Sequence, residues 1–196
     1  MQSTSDHADQ DRSRSGSTES SAMSCQQLIG ALSGQLSALS GVIQKLTDEQ
    51  YAGAAGASAS SASSIGSHVR HSLDHVAAVA CGSDRLDYDT RQRGTDVERS
   101  RTSARMRIDE LTAELSKLIS ADAGRVVRIA AVVDVDGPMV ELQSTLGREL
   151  AFVISHTVHH HAMITAAAKL AGVMLPERFG LAPSTIRAAE RTACAR

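Results

Sequence analysis

The sequence predicts an all-α protein, a four-helix bundle with a small β-hairpin or extended excursion before the last long helix. Three observations predict it. Aromatic residues make up only 2% of the 196 residues and Trp is absent. A core must then be assembled from Leu, Ile, Val, Ala and Met, which suits packed helices better than a β-sandwich. Apolar residues recur at threes and fours through long segments of the chain, the spacing that gathers them on one helical face. One stretch departs from this pattern. RVVRIAAVVDVDGPMVELQST is β-branched around an Asp-Gly-Pro, the composition of a hairpin.

Residues 1–22 are Ser, Asp, Gln, Thr and Arg with little to bury, which predicts a disordered tail ahead of a single domain at 23–187. Leu28, Leu32, Leu36, Leu39, Val42, Ile43 and Leu46 mark a first helix over about 24–46. Gly30, Gly34 and Gly41 weaken it by roughly 1 kcal/mol each relative to Ala and leave room for a close helix approach. The TDEQ that follows has the residues to cap a short turn. AGAAGASASSASS, residues 52–64, reads as a flexible loop. Its last serines, Ser63 or Ser64, can N-cap a second helix over about 65–81, with Gly82 just beyond the end. GSDRLDYDTRQRGT is a polar connection. Thr95 and Glu98 have capping-box spacing and open a third helix reaching about Ile119, with Met106, Leu111, Leu115, Leu118 and Ile119 on its apolar side. The fourth long helix runs over about 146–172. LPERFGLAPSTIRAAE is punctuated by Pro and Gly, with Ser184 placed to cap a last short helix before a tail at 188–196.

A formal net charge of -2 argues against a nucleic-acid or anionic-membrane partner. No apolar run is long enough to span a bilayer, and the first residues lack the apolar segment of a secretory signal. Cys25, Cys81 and Cys194 are odd in number and widely spaced, which fits neither a disulfide framework nor a zinc finger and predicts a cytoplasmic protein. No Gly-x-Ser-x-Gly elbow and no phosphate-cradling glycine loop is present.

The unusual feature is histidine. ISHTVHHHAMI, residues 154–164, holds four of the eight in the chain. At about 100° per residue, His156 and His160 lie within the apolar stripe of the fourth helix, His159 is marginal, and His161 points away. Buried imidazoles need partners, since an unpaired polar group in a core costs on the order of 1–3 kcal/mol. Two of them one turn apart can grip a single metal ion, or each can be hydrogen-bonded separately. His68, His71 and His75 share one stripe of the second helix within about 60°. Any of the three can supply a third imidazole, and the helical wheel leaves the choice open. Three neutral nitrogens from two helices leave a coordination position for water or substrate, as catalytic metal sites require. Imidazole ligands alone do not choose among Zn, Ni, Fe and Co.

Other residues have two readings each. Glu149, two turns before His156, can orient a ligand histidine, complete a coordination shell or act as a catalytic base. It can equally be a carboxylate favoured at a helix N-terminus and paired with an arginine. Asp74 and His75 are either supports of the site or parts of an exposed face. The DYDTRQR cluster (Asp87, Tyr88, Asp89, Arg91 and Arg93), like Arg148, either offers a guanidinium to an anionic substrate or pins a loop by internal ion pairs.

Taken together, SSIGSHVRHSLDH, DYDTRQRGT, STLGRELAFVISHTVHHHAMI and LPERFGLAPST resemble the DinB-like (YfiT/DinB) superfamily of metal-dependent four-helix-bundle proteins over about residues 24–187. The resemblance implies a bundle that is often a homodimer. It also implies one divalent ion held by a second-helix histidine and the His-x-x-x-His pair of the last long helix. Carried over, these are His71, His156 and His160, with His68 and His75 as alternates to His71. HHHAMI stands where HHRGQ is the commoner ending. The function implied is a metal-dependent enzyme, either a thiol-dependent transferase or isomerase or a metal-assisted hydrolase. It would act on a small-molecule substrate, with a low-molecular-weight thiol as the co-substrate of the transferase. The alternative is a non-enzymatic metal-binding or dimerising module, in which the outward-facing Ile154 and Val158 would serve an interface.

Overall fold

The computed structural model describes residues 25–53, 64–90 and 93–194. The expected N-terminal tail, most of the 52–64 loop and Arg91 lie outside them. Among the described residues the chain is mostly helical with one small sheet. Four long helices carry the core: α1 (Cys25–Lys45), α3 (Ile65–Ala80), α5 (Arg101–Ser116) and α6 (Leu146–Leu170). Between them lie α2 (Asp48–Ala52) and α4 (Asp96–Arg99), and α7 (Pro183–Cys194) closes the described chain. Helix α1 packs on α5 and α6, and α3 packs on the same two. The periodic residues meet there. Leu32, Leu36, Leu39 and Ile43 of α1 join Val69, Leu73 and Val76 of α3, Ile108, Leu111 and Leu115 of α5, and Leu150, Val153 and Ile164 of α6 in one core. Burying a Leu or Ile of this kind contributes about 1.5–3 kcal/mol.

Local chemistry sets the ends of the helices. Thr47 makes a capping box with Gln50 at α2, Ser64 caps α3 by accepting from Ser67 N, and Gly82 follows α3 at φ 70°. The third helix differs from its expectation. Thr95 makes no side-chain cap, and Glu98 pairs instead with Arg70 of α3. The helix breaks at Ser100, which is extended and whose hydroxyl caps α5 by accepting from Ser103 N. Met106 and Ile119, expected on the apolar side, are exposed. The glycines of α1 meet no close neighbour, so they permit no tight helix contact. Ser184 is not the cap of α7. Pro183 occupies the first helical position, where its fixed φ and missing N–H fit, and the helix continues through the expected tail to Cys194.

The hairpin is present as β2 (Val126–Ala131) and β3 (Val140–Thr145), antiparallel with Ile129 opposite Leu142. The polar connection contributes an unexpected third strand, β1 (Arg85–Asp87), parallel to β2 with Leu86 opposite Ile129. This pairing positions the site. It buries Leu86 and carries Tyr88, just past the strand, to the start of α6. Strand β3 passes directly into α6 through Thr145, whose hydroxyl caps the helix by accepting from Arg148 N.

Candidate metal centre

His71 on α3 and His156 and His160 on α6 meet where the two helices pack. One nitrogen from each ring lies within 4.8 Å of the other two. Ring centroids are 5.2 Å apart for His71–His156 and 4.6 Å for both His71–His160 and His156–His160, with interplanar angles of 63° to 71°. The three rings therefore meet edge to face rather than stacked. His160 is the hub, since it also meets His68 at 5.5 Å and His159 at 5.3 Å.

The donor set fits a cation. His160 is 7% exposed, and its Nδ1 is buried without a hydrogen-bond partner. Burial, aided by the neighbouring His156, His71, His68 and His159, pushes its pKa down to about 3. It is therefore neutral near pH 7, the state a metal ligand requires. Burial, and then His159, also lower the pKa of His68, which sits at the edge of the cluster.

The other second-helix candidate, His75, turns to a different task. Its Nδ1 donates to the His71 carbonyl at 3.0 Å, and its ring stacks on His156 at 3.9 Å. Tyr88 stacks on the other side of His75 at 5.2 Å, and Phe152 meets both Tyr88 and His156. This aromatic wall was not foreseen from the sequence. Its signal was a tyrosine in the DYDTRQR cluster of a chain with only two.

Glu149 is fully buried and its carboxylate is taken. It accepts from Tyr88 Oη at 2.9 Å, Ser144 Oγ at 2.6 Å and Arg148 at 2.7 Å. This is the arginine-paired carboxylate of the second reading, and it fixes Tyr88, which in turn braces His75 against His156. Arg148 lies over the Phe152 ring at 5.4 Å. Burial and the Glu149 carboxylate push the Tyr88 hydroxyl well above the usual phenol range, so Tyr88 remains a donor. Asp87 and Asp89 of the cluster pin their own loop. Asp87 accepts from the backbone of Asp89 and Thr90, and Asp89 accepts from Val132 N. Asp74 pairs with Arg70 at 2.6 Å.

His161 points away from the trio, as the wheel requires, but it is buried. It is 3% exposed and stacks on Phe179 at 4.3 Å. Burial alone holds its pKa at about 4. Neither Ile154 nor Val158 is the outward residue expected. Ile154 packs against the core, and Val158 lines a cavity beside His161.

The two depressed histidines make acid sensitivity predictable. In metal-free protein the unfolded chain takes up protons near the ordinary imidazole value of 6.5, whereas the native chain does not. Their stabilising contribution is therefore complete above about pH 6.5. It falls as pH drops, by about 1.4 kcal/mol per pH unit for each histidine, until the folded values near 4 and 3 are passed. Urea unfolding of chelator-treated protein between pH 7 and 4.5 should show this slope. His161→Phe should make it shallower, and an equal slope in the variant would refute the assignment to His161.

A mostly helical chain with three converging histidines on two adjacent helices defines a class: helical proteins with a candidate metal centre between helices. The chain belongs to the DinB superfamily, whose family model matches residues 31–164 and so takes in all three histidines. Members of this family often bind metal. A stretch of 105 residues is also 38% identical to FK506-binding protein 5 of Rhizopus delemar, covering 52% of this chain and 27% of that protein. The chain thus spans about a quarter of that relative's length. No helix among the described residues is long and apolar enough to cross a membrane.

Proposed function

We propose that this chain is a four-helix-bundle metalloenzyme in which His71, His156 and His160 hold one divalent ion, Zn, Ni, Fe or Co, with a coordination position left for substrate. The observation that carries this reading is the mutual approach of three imidazole nitrogens within 4.8 Å, one ring having a buried nitrogen with no partner. When bound, such an ion supplies Lewis acidity toward a substrate oxygen or sulfur. The chain's own residues do the rest. His71 and the i, i+4 pair supply neutral donors, and His75, clamped between Tyr88 and His156, holds the His156 ring in place. The Tyr88–Glu149 hydrogen bond anchors that stack to the first turn of α6. His68 and His159 border the hub and present imidazoles to an arriving substrate.

With Glu149 occupied by three donors, the reactions that fit best need no carboxylate base. These are transfer or isomerisation with a low-molecular-weight thiol, ahead of metal-assisted hydrolysis. A cytoplasmic homodimer is the setting this reading takes. The first test is metal analysis of protein purified without chelator, with about one divalent ion per chain expected. Content near zero, with no uptake from added Zn²⁺, Ni²⁺, Fe²⁺ or Co²⁺, would sink the proposal.

A further inference from the structure

Three side chains lead along α6 to the histidine trio. Arg148, Phe152 and His156 follow one another at one-turn spacing, so they share one side of the helix, and the next step is His160. Exposure falls along this row. Arg148 is exposed, Phe152 and His156 are half-buried, and His160 is buried. The guanidinium carbon of Arg148 lies 5.4 Å from the centre of the Phe152 ring, and that centre lies 5.7 Å from the His156 ring. A single phenyl ring thus spaces a cation from the candidate metal centre.

Arg148 is held in place without being covered. It donates from Nη1 to Glu149 Oε1 at 2.7 Å, yet its side chain stays 65% exposed. The buried carboxylate fixes one end of the guanidinium, and the Phe152 ring supports it by a cation–π contact. Glu149 spreads its charge over three donors, because it also accepts from Tyr88 and Ser144. The arginine charge is therefore not wholly spent on it. A guanidinium is a rigid fork of N–H donors, and pairing through Nη1 leaves others for an arriving anion. A side chain fixed in advance loses little freedom when that anion binds. One guanidinium matches one carboxylate in charge and in planar shape.

We propose that Arg148 anchors the carboxylate of an elongated substrate, whose apolar middle lies against Phe152 and whose far end reaches the histidine trio. That the far end meets a metal rests on the function proposed above; the anchor itself does not. The substrate class is an aliphatic acid carrying a thiol or hydroxyl at its other end.

Two titrations of the full chain test the anchor and the reach separately. The first uses metal-free protein with hexanoate and hexanamide as probes, read by NMR at the ring signals of Phe152. With two Phe in the chain, Phe152 and Phe179, these signals are readily assigned. Hexanoate should saturate with a dissociation constant on the order of millimolar and move the Phe152 signals. It should bind at least about fivefold more tightly than hexanamide, and Arg148→Gln should abolish that preference. The wild-type comparison stands even where the variant fails to fold. The second titration uses Co²⁺-loaded protein with mercaptohexanoate and mercaptohexanol, read at the thiolate-to-cobalt absorption. The acid should bind about tenfold more tightly than the alcohol in wild type, and the two should bind alike in Arg148→Gln. The anchor is overturned by hexanamide binding as tightly as hexanoate, by hexanoate that does not saturate or leaves Phe152 unmoved, or by a preference that survives in Arg148→Gln. Failure to take up Co²⁺ would sink the metal reading and leave the first titration to decide the anchor. Acid and alcohol bound alike to the cobalt protein would sink the reach from Arg148 to the trio and leave the metal reading standing.

Discussion

Replacing His160 by Ala is expected to lower the affinity of the chain for a divalent cation by roughly 100-fold or more, while leaving the metal-free fold about as stable as before. The first half follows from position. His160 is the hub of the cluster, in ring contact with His68, His71, His156 and His159. Removing it takes one of the three proposed ligands. Loss of a group that merely orients a ligand already costs 10- to 100-fold in metal affinity, so loss of a ligand costs more. The second half follows from the unpartnered Nδ1. Truncation leaves a small void, but it also removes a buried nitrogen whose desolvation costs about 1–3 kcal/mol, and Ala is the best helix former. Thermal unfolding with and without added Zn²⁺ reads both halves. Wild type should gain about 2.7 kcal/mol at 100 times its dissociation constant, and the variant should gain almost nothing. A variant stabilised by cation as strongly as wild type would disprove the assignment of His160.

Gly66→Ala is expected to destabilise the protein by about 3 kcal/mol, the upper end of ordinary overpacking. Gly66 lies in the first turn of α3, where α4 crosses it. A Cβ there would collide with the Glu98 carbonyl oxygen and lie 2.9 Å from the carbonyl carbon and 3.0 Å from Tyr51 Cε1. The obstacle is backbone, and it cannot swing aside. Glu98 is tied to α3 by its ion pair with Arg70, and Tyr51 is held by its hydroxyl donating to the Val97 carbonyl at 2.5 Å. Urea unfolding measures the loss. A midpoint within error of wild type would show that α4 can shift freely, against this packing. Gly34→Ala, with nothing within 4 Å of the added carbon, is the matched control in α1.

The elements whose apolar spacing is self-contained were legible in the sequence. Helices α1, α3 and α6 begin and end within a few residues of where Leu and Val periodicity and the Ser64 cap put them, and the β-branched hairpin stands as β2 and β3. The His156–His160 pair was legible for the same reason, since both lie on one helix at one-turn spacing. What escaped depends on contacts distant in sequence. The choice among His68, His71 and His75 turns on how α3 rotates against α6. The wheel left the three open, and it is His71 that has the nitrogen near the pair. Strand β1 is three residues long and exists through pairing with β2, some forty residues on. The break at Ser100 reflects Glu98 being drawn to Arg70 rather than to its own helix end. His161 is buried by Phe179, 18 positions away, across a turn that needs the positive φ of Gly180.

The placement of the two tyrosines has a practical corollary. With no Trp in the chain, its intrinsic ultraviolet emission comes from Tyr51 and Tyr88 alone. Tyr51 is locked beneath α4, while Tyr88 is stacked against the imidazole that braces His156. The protein thus carries a built-in optical reporter one ring away from its histidine cluster, and occupancy there can be followed by fluorescence without any label.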